Sequence, residues 1–165
     1  MVRRAKRGKL PKNPSTIEEI PVPFPEDFSA NIIYDNESPT NRIVIFASLQ
    51  GLKLLDTAST WYMDGTFSTA PSQFRQLFVI RVPLGENCAS AIYALLPSKQ
   101  QDAYEEMMTA LLDVCLTQDI RPHPVHIVTD YEMAIHNAVR SVFHSSIHIQ
   151  VCIEWKIPIH NGRHI

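Results

Sequence analysis

The sequence predicts an α/β protein in which a mixed five-stranded sheet is flanked by helices, in the order β-β-β-α-β-α-β. Three observations carry that reading. Residues 61–96 contain three apolar runs separated by turn residues; Tyr104, Met107, Met108, Leu111, Leu112 and Cys115 then recur at helical period; and the stretch from 147 alternates apolar and polar positions. Three strands in succession make a meander, and two strands each reached through a helix make crossovers. Antiparallel and parallel pairs therefore share one sheet, with helices on its faces.

Each element has a local cause. Residues 1–16 read as a disordered basic tail, and 17–60 as an extended and short helical segment. Within it, Pro21, Pro23 and Pro25 each remove a donor and hold the preceding residue extended, so 17–25 is a rigid connector. Asp35, Asn36, Glu37, Ser38 and Pro39 supply a turn, followed by the apolar run 43–49 and a short helix ending near Leu55. The core spans 61–154. Its first strand is 61–67 (WYMDGTF) and its second 77–82 (LFVIRV); Pro83 to Asn87 turn the chain into the third, 89–96 (ASAIYALL). Ser98 is the expected N-cap of the first helix, with Gln101 completing a capping box. A short strand, 125–129, ends at Asp130, and a helix over 132–143 buries Ile135, Ala138, Val139 and Val142. In the last strand Ile147, Ile149, Val151 and Ile153 line one side, and His148, Gln150, Cys152 and Glu154 the other. Residues 155–165 form a divergent tail.

Composition narrows the function classes. At 165 residues, 45% hydrophobic and 19% charged, the chain can bury a core, which excludes general disorder. The longest nearly apolar stretch, 88–96, is about half of what a membrane helix needs. Three cysteines (Cys88, Cys115, Cys152) do not make a disulfide scaffold, and a reducing compartment is expected. The formal net charge of −2 hides an asymmetry: Arg3, Arg4, Lys6, Arg7, Lys9 and Lys12 open the chain, so nine basic residues face all 17 acids in the remainder. No apolar stretch follows the arm, so it is not a secretory signal. Six such charges suit a salt-sensitive contact with DNA or a nuclear import signal; a merely solvated tail is the alternative.

The first and fourth core strands each present an aspartate, Asp64 within the first and Asp130 at the end of the fourth. If those strands are neighbours, the carboxylates lie side by side, and their repulsion is relieved by a hard divalent ion such as Mg²⁺ or Mn²⁺. Such ions activate water and stabilise a leaving oxygen in phosphodiester cleavage. Taken singly each residue also has a plainer reading, Asp64 as a turn former before Gly65 and Asp130 as a helix cap.

The segments WYMDGTFSTAPSQFRQLFVIRV, IYALLPSKQQDAYEEMMTALL and IVTDYEMAIHNAVRSVF resemble the Mutator-like (MULE) transposase domain, in particular that of animal proteins in which it follows a FLYWCH-type zinc finger. The likeness covers about 17–153. It implies an RNase H-like fold and a D-D-E active site in which Asp64 matches the first acid and Asp130 the second. It further implies a nuclear protein that cuts and joins DNA with divalent metal, in a family with many domesticated members.

Two departures bear on activity. Trp155 stands where the family's C-x-x-H motif, here begun by Cys152, has its histidine, and 156–165 do not continue the pattern. The helix with the third acid is missing, so a weak or vestigial metal site without strand transfer is expected. A domesticated nucleic-acid or protein binding module, or a fragment of a longer transposase, are the alternatives. Glu154 is read as a solvated strand end and Glu132 as favouring the N-terminus of the second helix. Cys152, His160 and His164 contain zinc-like H-x₃-H spacing without a fourth ligand, so no zinc site is expected. Histidines 123, 126, 136, 144 and 148 are read as surface or hairpin-end residues, and Arg75, Lys99 and Arg140 as too dispersed to form a groove. The last strand is expected at a sheet edge with its apolar side uncovered, which favours self-association.

Overall fold

A computed structural model describes residues 14–24, 26–66, 68–143 and 147–152. It holds helices α1 (Glu26–Ser29), α2 (Leu49–Thr57), α3 (Gln101–Thr117) and α4 (Met133–Phe143). The strands are β1 (Ile32–Asp35), β2 (Val44–Phe46), β3 (Thr60–Thr66), β4 (Gln76–Leu84), β5 (Asn87–Leu96), β6 (His126–Thr129) and β7 (His148–Val151). All seven strands form one mixed sheet in the order β1-β2-β5-β4-β3-β6-β7. The five core strands follow the expected order, with β3, β4 and β5 antiparallel and β3, β6 and β7 parallel. The expected count of five is corrected to seven. Residues read as an extended segment supply β1 and β2, which pair with each other and extend the sheet along β5. Strands of four and three residues are too short to show a period.

Alternation along the strands sets the two faces. Trp61 and Met63 of β3, Phe78 and Ile80 of β4 and Ile127 of β6 are buried in one cluster with α2, α3 and α4. Val44 and Phe46 face the other way and pack with Ile20, Phe24 and Phe74 in a smaller cluster, so the connector covers the β1–β2 end of the second face. Arg42, 1% exposed, ties it down: its guanidinium donates to Asp35 at 2.6 and 2.9 Å and to the carbonyls of Ile20 and Pro21 at 3.1 Å, and lies over the Phe24 ring. Gln73 donates to the Pro14 carbonyl, anchoring residues placed in the tail by sequence.

The helices differ from expectation at their starts. Gln100, not Ser98, is the N-cap of α3, and it makes no side-chain cap bond; Ser98 Oγ accepts from Gln100 N–H instead, so the capping box does not form. The buried stripe of α3 is as expected apart from Leu112, which is half-buried and joined by Ala103 and Ala110. α2 lies so close to β5 that a Cβ at Gly51 would sit 2.4 Å from the Ala91 carbonyl oxygen. β7 is the sheet edge, but its apolar side is not bare: Ile147 and Ile149 pack on the main cluster with Val142 and Phe143 of α4. Ile153 and the tail lie outside the described residues. No helix among those described is long and apolar enough to cross a membrane.

Candidate active site

β3 and β6 are parallel neighbours in register, Tyr62 opposite Val128 and Met63 opposite Thr129. One residue further on, Asp64 within β3 comes level with Asp130, the residue that follows β6. Met63 and Thr129 are fully buried, so alternation along β3 turns Asp64 away from the helices, while Asp130 lies just beyond β6; each is half-buried. Gly65 is inside β3, so the turn-forming alternative for Asp64 does not hold.

Asp130 has a carboxyl pKa above the ordinary range. Burial is the main cause and the charge of Glu132 the next, with Asp64 adding to it; Lys99 and the Thr129 hydroxyl, 3.4 Å away, act in the other direction. This is the signature of a like-charge cluster in a partly dry site. The backbone of Asp130 is held separately. Its carbonyl accepts from Glu132 N–H at 2.9 Å and lies 3.0 Å from His136 Nε2. His136 is 5% exposed, which corrects its reading as a surface residue: it sits in the first turn of α4, beneath the edge of the Tyr131 ring.

A polar chain runs beside the pair. Gln76 Nε2 donates to the Tyr104 hydroxyl at 2.7 Å and to the Ser98 carbonyl at 3.1 Å. The Tyr104 hydroxyl donates to Glu132 Oε1 at 2.7 Å, and Lys99 Nζ donates to Glu132 Oε2 at 3.0 Å. Burial and the acceptor Glu132 push the Tyr104 pKa far up, so the hydroxyl stays protonated and donating. At the other end, Gln76 Oε1 is buried with no hydrogen-bond partner among the described residues, and a Cβ at Gly65 would come within 2.3 Å of it. The glycine after Asp64 therefore leaves room for the Gln76 carboxamide. Gly65→Ala is expected to force Gln76 off Tyr104 and to destabilise the fold by about 1–3 kcal/mol, measured by urea unfolding.

The arm residues Arg3, Arg4, Lys6, Arg7, Lys9 and Lys12 lie outside the described residues, as do His144, Glu154, Trp155, His160 and His164. Cys152 is half-buried, its N–H bonded to the Thr129 carbonyl at 2.8 Å. Sequence reasoning missed Gln76, Tyr104 and Lys99, and gave Glu132 only half its role. Its backbone carbonyl accepts from Ile135 and His136 N–H at the start of α4, while its carboxylate serves Tyr104 and Lys99. One signal was present: a tyrosine in a buried helical stripe needs a partner for its hydroxyl.

The donor set suits a hard divalent cation, since Asp64 and Asp130 offer only carboxylate oxygens and a cation relieves their repulsion. No group of three or more metal-ligating side chains occurs among the described residues. The MULE transposase domain family matches residues 60–157, from β3 through β7 and beyond. No curated protein and no solved structure matches the chain.

Proposed function

Because this chain belongs to the MULE transposase family, we propose that its transposase-derived domain binds DNA with a divalent ion, Mg²⁺ or Mn²⁺, held by Asp64 and Asp130. The single observation that supports this is the level placement of the two aspartates on neighbouring parallel strands. The ion, when bound, supplies an activated water and stabilises negative charge at a phosphodiester. The protein supplies the rest. β3 and β6 fix the spacing of the carboxylates, and the backbone contacts to Glu132 and His136 hold Asp130 at the strand end.

In the same reading the site keeps only part of its ancestral chemistry. Among the described residues, the further carboxylate that acts on Asp130, Glu132, already accepts from Tyr104 and Lys99. Two carboxylates hold a metal weakly, so this chain binds ion and DNA without cutting or joining strands. The basic arm adds non-specific phosphate contacts and suits nuclear import, and the β7 edge offers a route to self-association.

Titration with Mn²⁺, followed by thermal unfolding, tests the proposal. At an ion concentration ten times the dissociation constant the gain is about 1.4 kcal/mol. Asp64→Asn is expected to lose that gain, and neither protein to nick DNA. Equal stabilisation of both proteins overturns the metal assignment. Nicking that vanishes in Asp64→Ala overturns the assignment of inactivity.

A further inference from the structure

Asp130 stands within electrostatic reach of Glu132 on one side and Asp64 on the other, and a DNA phosphate approaching these acids needs positive charge from the protein as well as from an ion. One cation is built into the place. Lys99 follows Pro97 at the C-terminal end of β5, two residues before α3, and its ammonium reaches across to Glu132, two residues after Asp130. Sequence reasoning set Lys99 aside as isolated; the packing of α3 against α4 brings it to the acids.

We propose that Lys99 is a DNA-binding residue of this site, its ammonium contacting a backbone phosphodiester beside the Asp64–Asp130 pair. This rests on the metal-binding reading above.

Three features of the geometry support it. First, the ammonium is held but not sealed in: the Lys99 side chain is 35% exposed against 19% for Glu132. That exposure leaves the ammonium reachable by a phosphate while it stays bonded to Glu132. Second, Glu132 does not depend on Lys99 alone, because the buried Tyr104 hydroxyl donates to its other oxygen and is itself fixed by Gln76. Turning the ammonium toward a phosphate therefore leaves no orphaned carboxylate. Third, α3 and α4 both begin here, at Gln101 and Met133, and the N-terminal ends of these 17- and 11-residue helices favour an anion. Glu132 and Tyr104 are then positioning residues, which keep a flexible lysine at the mouth of the site.

The test measures affinity of the full chain for a short DNA duplex in Ca²⁺ over a range of salt, alongside Ca²⁺ affinity without DNA. Lys99→Met is expected to weaken DNA binding by roughly 3–10-fold and to lower the slope of log K against log[salt] by about 0.9, the share of one phosphate contact. Its Ca²⁺ affinity should stay at the parent value. Lys99→Arg should retain the slope, as should Lys53→Met, which removes an exposed lysine of α2 that takes no part in this network. Parent-like DNA affinity and slope in Lys99→Met, with Ca²⁺ still bound, overturn this inference and leave the metal-binding reading standing. Loss of Ca²⁺ binding in Lys99→Met assigns the lysine to holding the acids instead, and also overturns it. Absence of Mn²⁺ binding in the parent, in the titration above, overturns the metal-binding reading, and this inference with it.

Discussion

Arg42→Met should destabilise the chain by about 3–5 kcal/mol, because it removes one member of a buried ion pair and leaves the other. The Asp35 side chain is only 11% exposed, and the same guanidinium holds the carbonyls of Ile20 and Pro21. Without it the connector over the second sheet face loses its attachment to the β1–β2 hairpin, and the cluster of Ile20, Val44 and Phe74 opens to water. For a domain of this size the melting temperature should fall by on the order of 10 °C. Urea unfolding of a double-mutant cycle with Asp35→Leu identifies the cause. If the uncompensated carboxylate dominates, the double variant is more stable than Arg42→Met alone. Additive losses would place the effect in packing instead.

Asp130→Asn should make the metal-free protein more stable at neutral pH and abolish its response to Mn²⁺. The sign follows from the raised pKa of Asp130, caused first by burial and then by the charge of Glu132. A carboxyl with a higher pKa folded than unfolded binds its proton more tightly in the native state. Its favourable contribution is therefore complete below the ordinary carboxylate range and is lost as pH rises through the folded value. Asparagine is spared that loss. Melting curves at several pH values should show the variant ahead of the parent near neutrality, with the gap closing toward pH 4. Added Mn²⁺ should reverse the order, because only the parent gains a ligand. A parent that stays ahead at every pH without metal would show that the carboxylate stabilises the fold and is not held ready for a cation.

Both predictions concern charged groups, and the sequence revealed them unequally. Asp64 and Asp130 were legible because each stands in or just after a strand whose apolar neighbours declare it, and the β-β-β-α-β order makes those strands neighbours. Arg42 was not, since nothing local distinguishes a buried arginine from a solvated one. Its burial depends on Asp35, seven residues away, and on a connector about twenty residues upstream. The misplaced N-cap of α3 has a similar origin. Ser98 and Gln101 have capping-box spacing, but the carbonyl of Ser98 is taken by Gln76 and its hydroxyl by Gln100 N–H, so the helix starts later.

By itself the sequence determined the central five strands, most of the buried stripe of α3 and the placement of Asp64 and Asp130 on neighbouring strands, because these follow from hydrophobic period and from chain order. Only the tertiary structure decided that β1 and β2 complete the sheet, that Arg42 is enclosed, and that Gln76, Tyr104, Glu132 and Lys99 form one polar chain beside Asp130. The physical reason is separation along the chain. Lys99 and Glu132 are 33 residues apart and Gln76 and Tyr104 are 28 apart, so no local pattern links them. They meet because α3 and α4 bury their apolar faces on the same side of the sheet, which carries both helix N-termini to the strand ends where the acids lie.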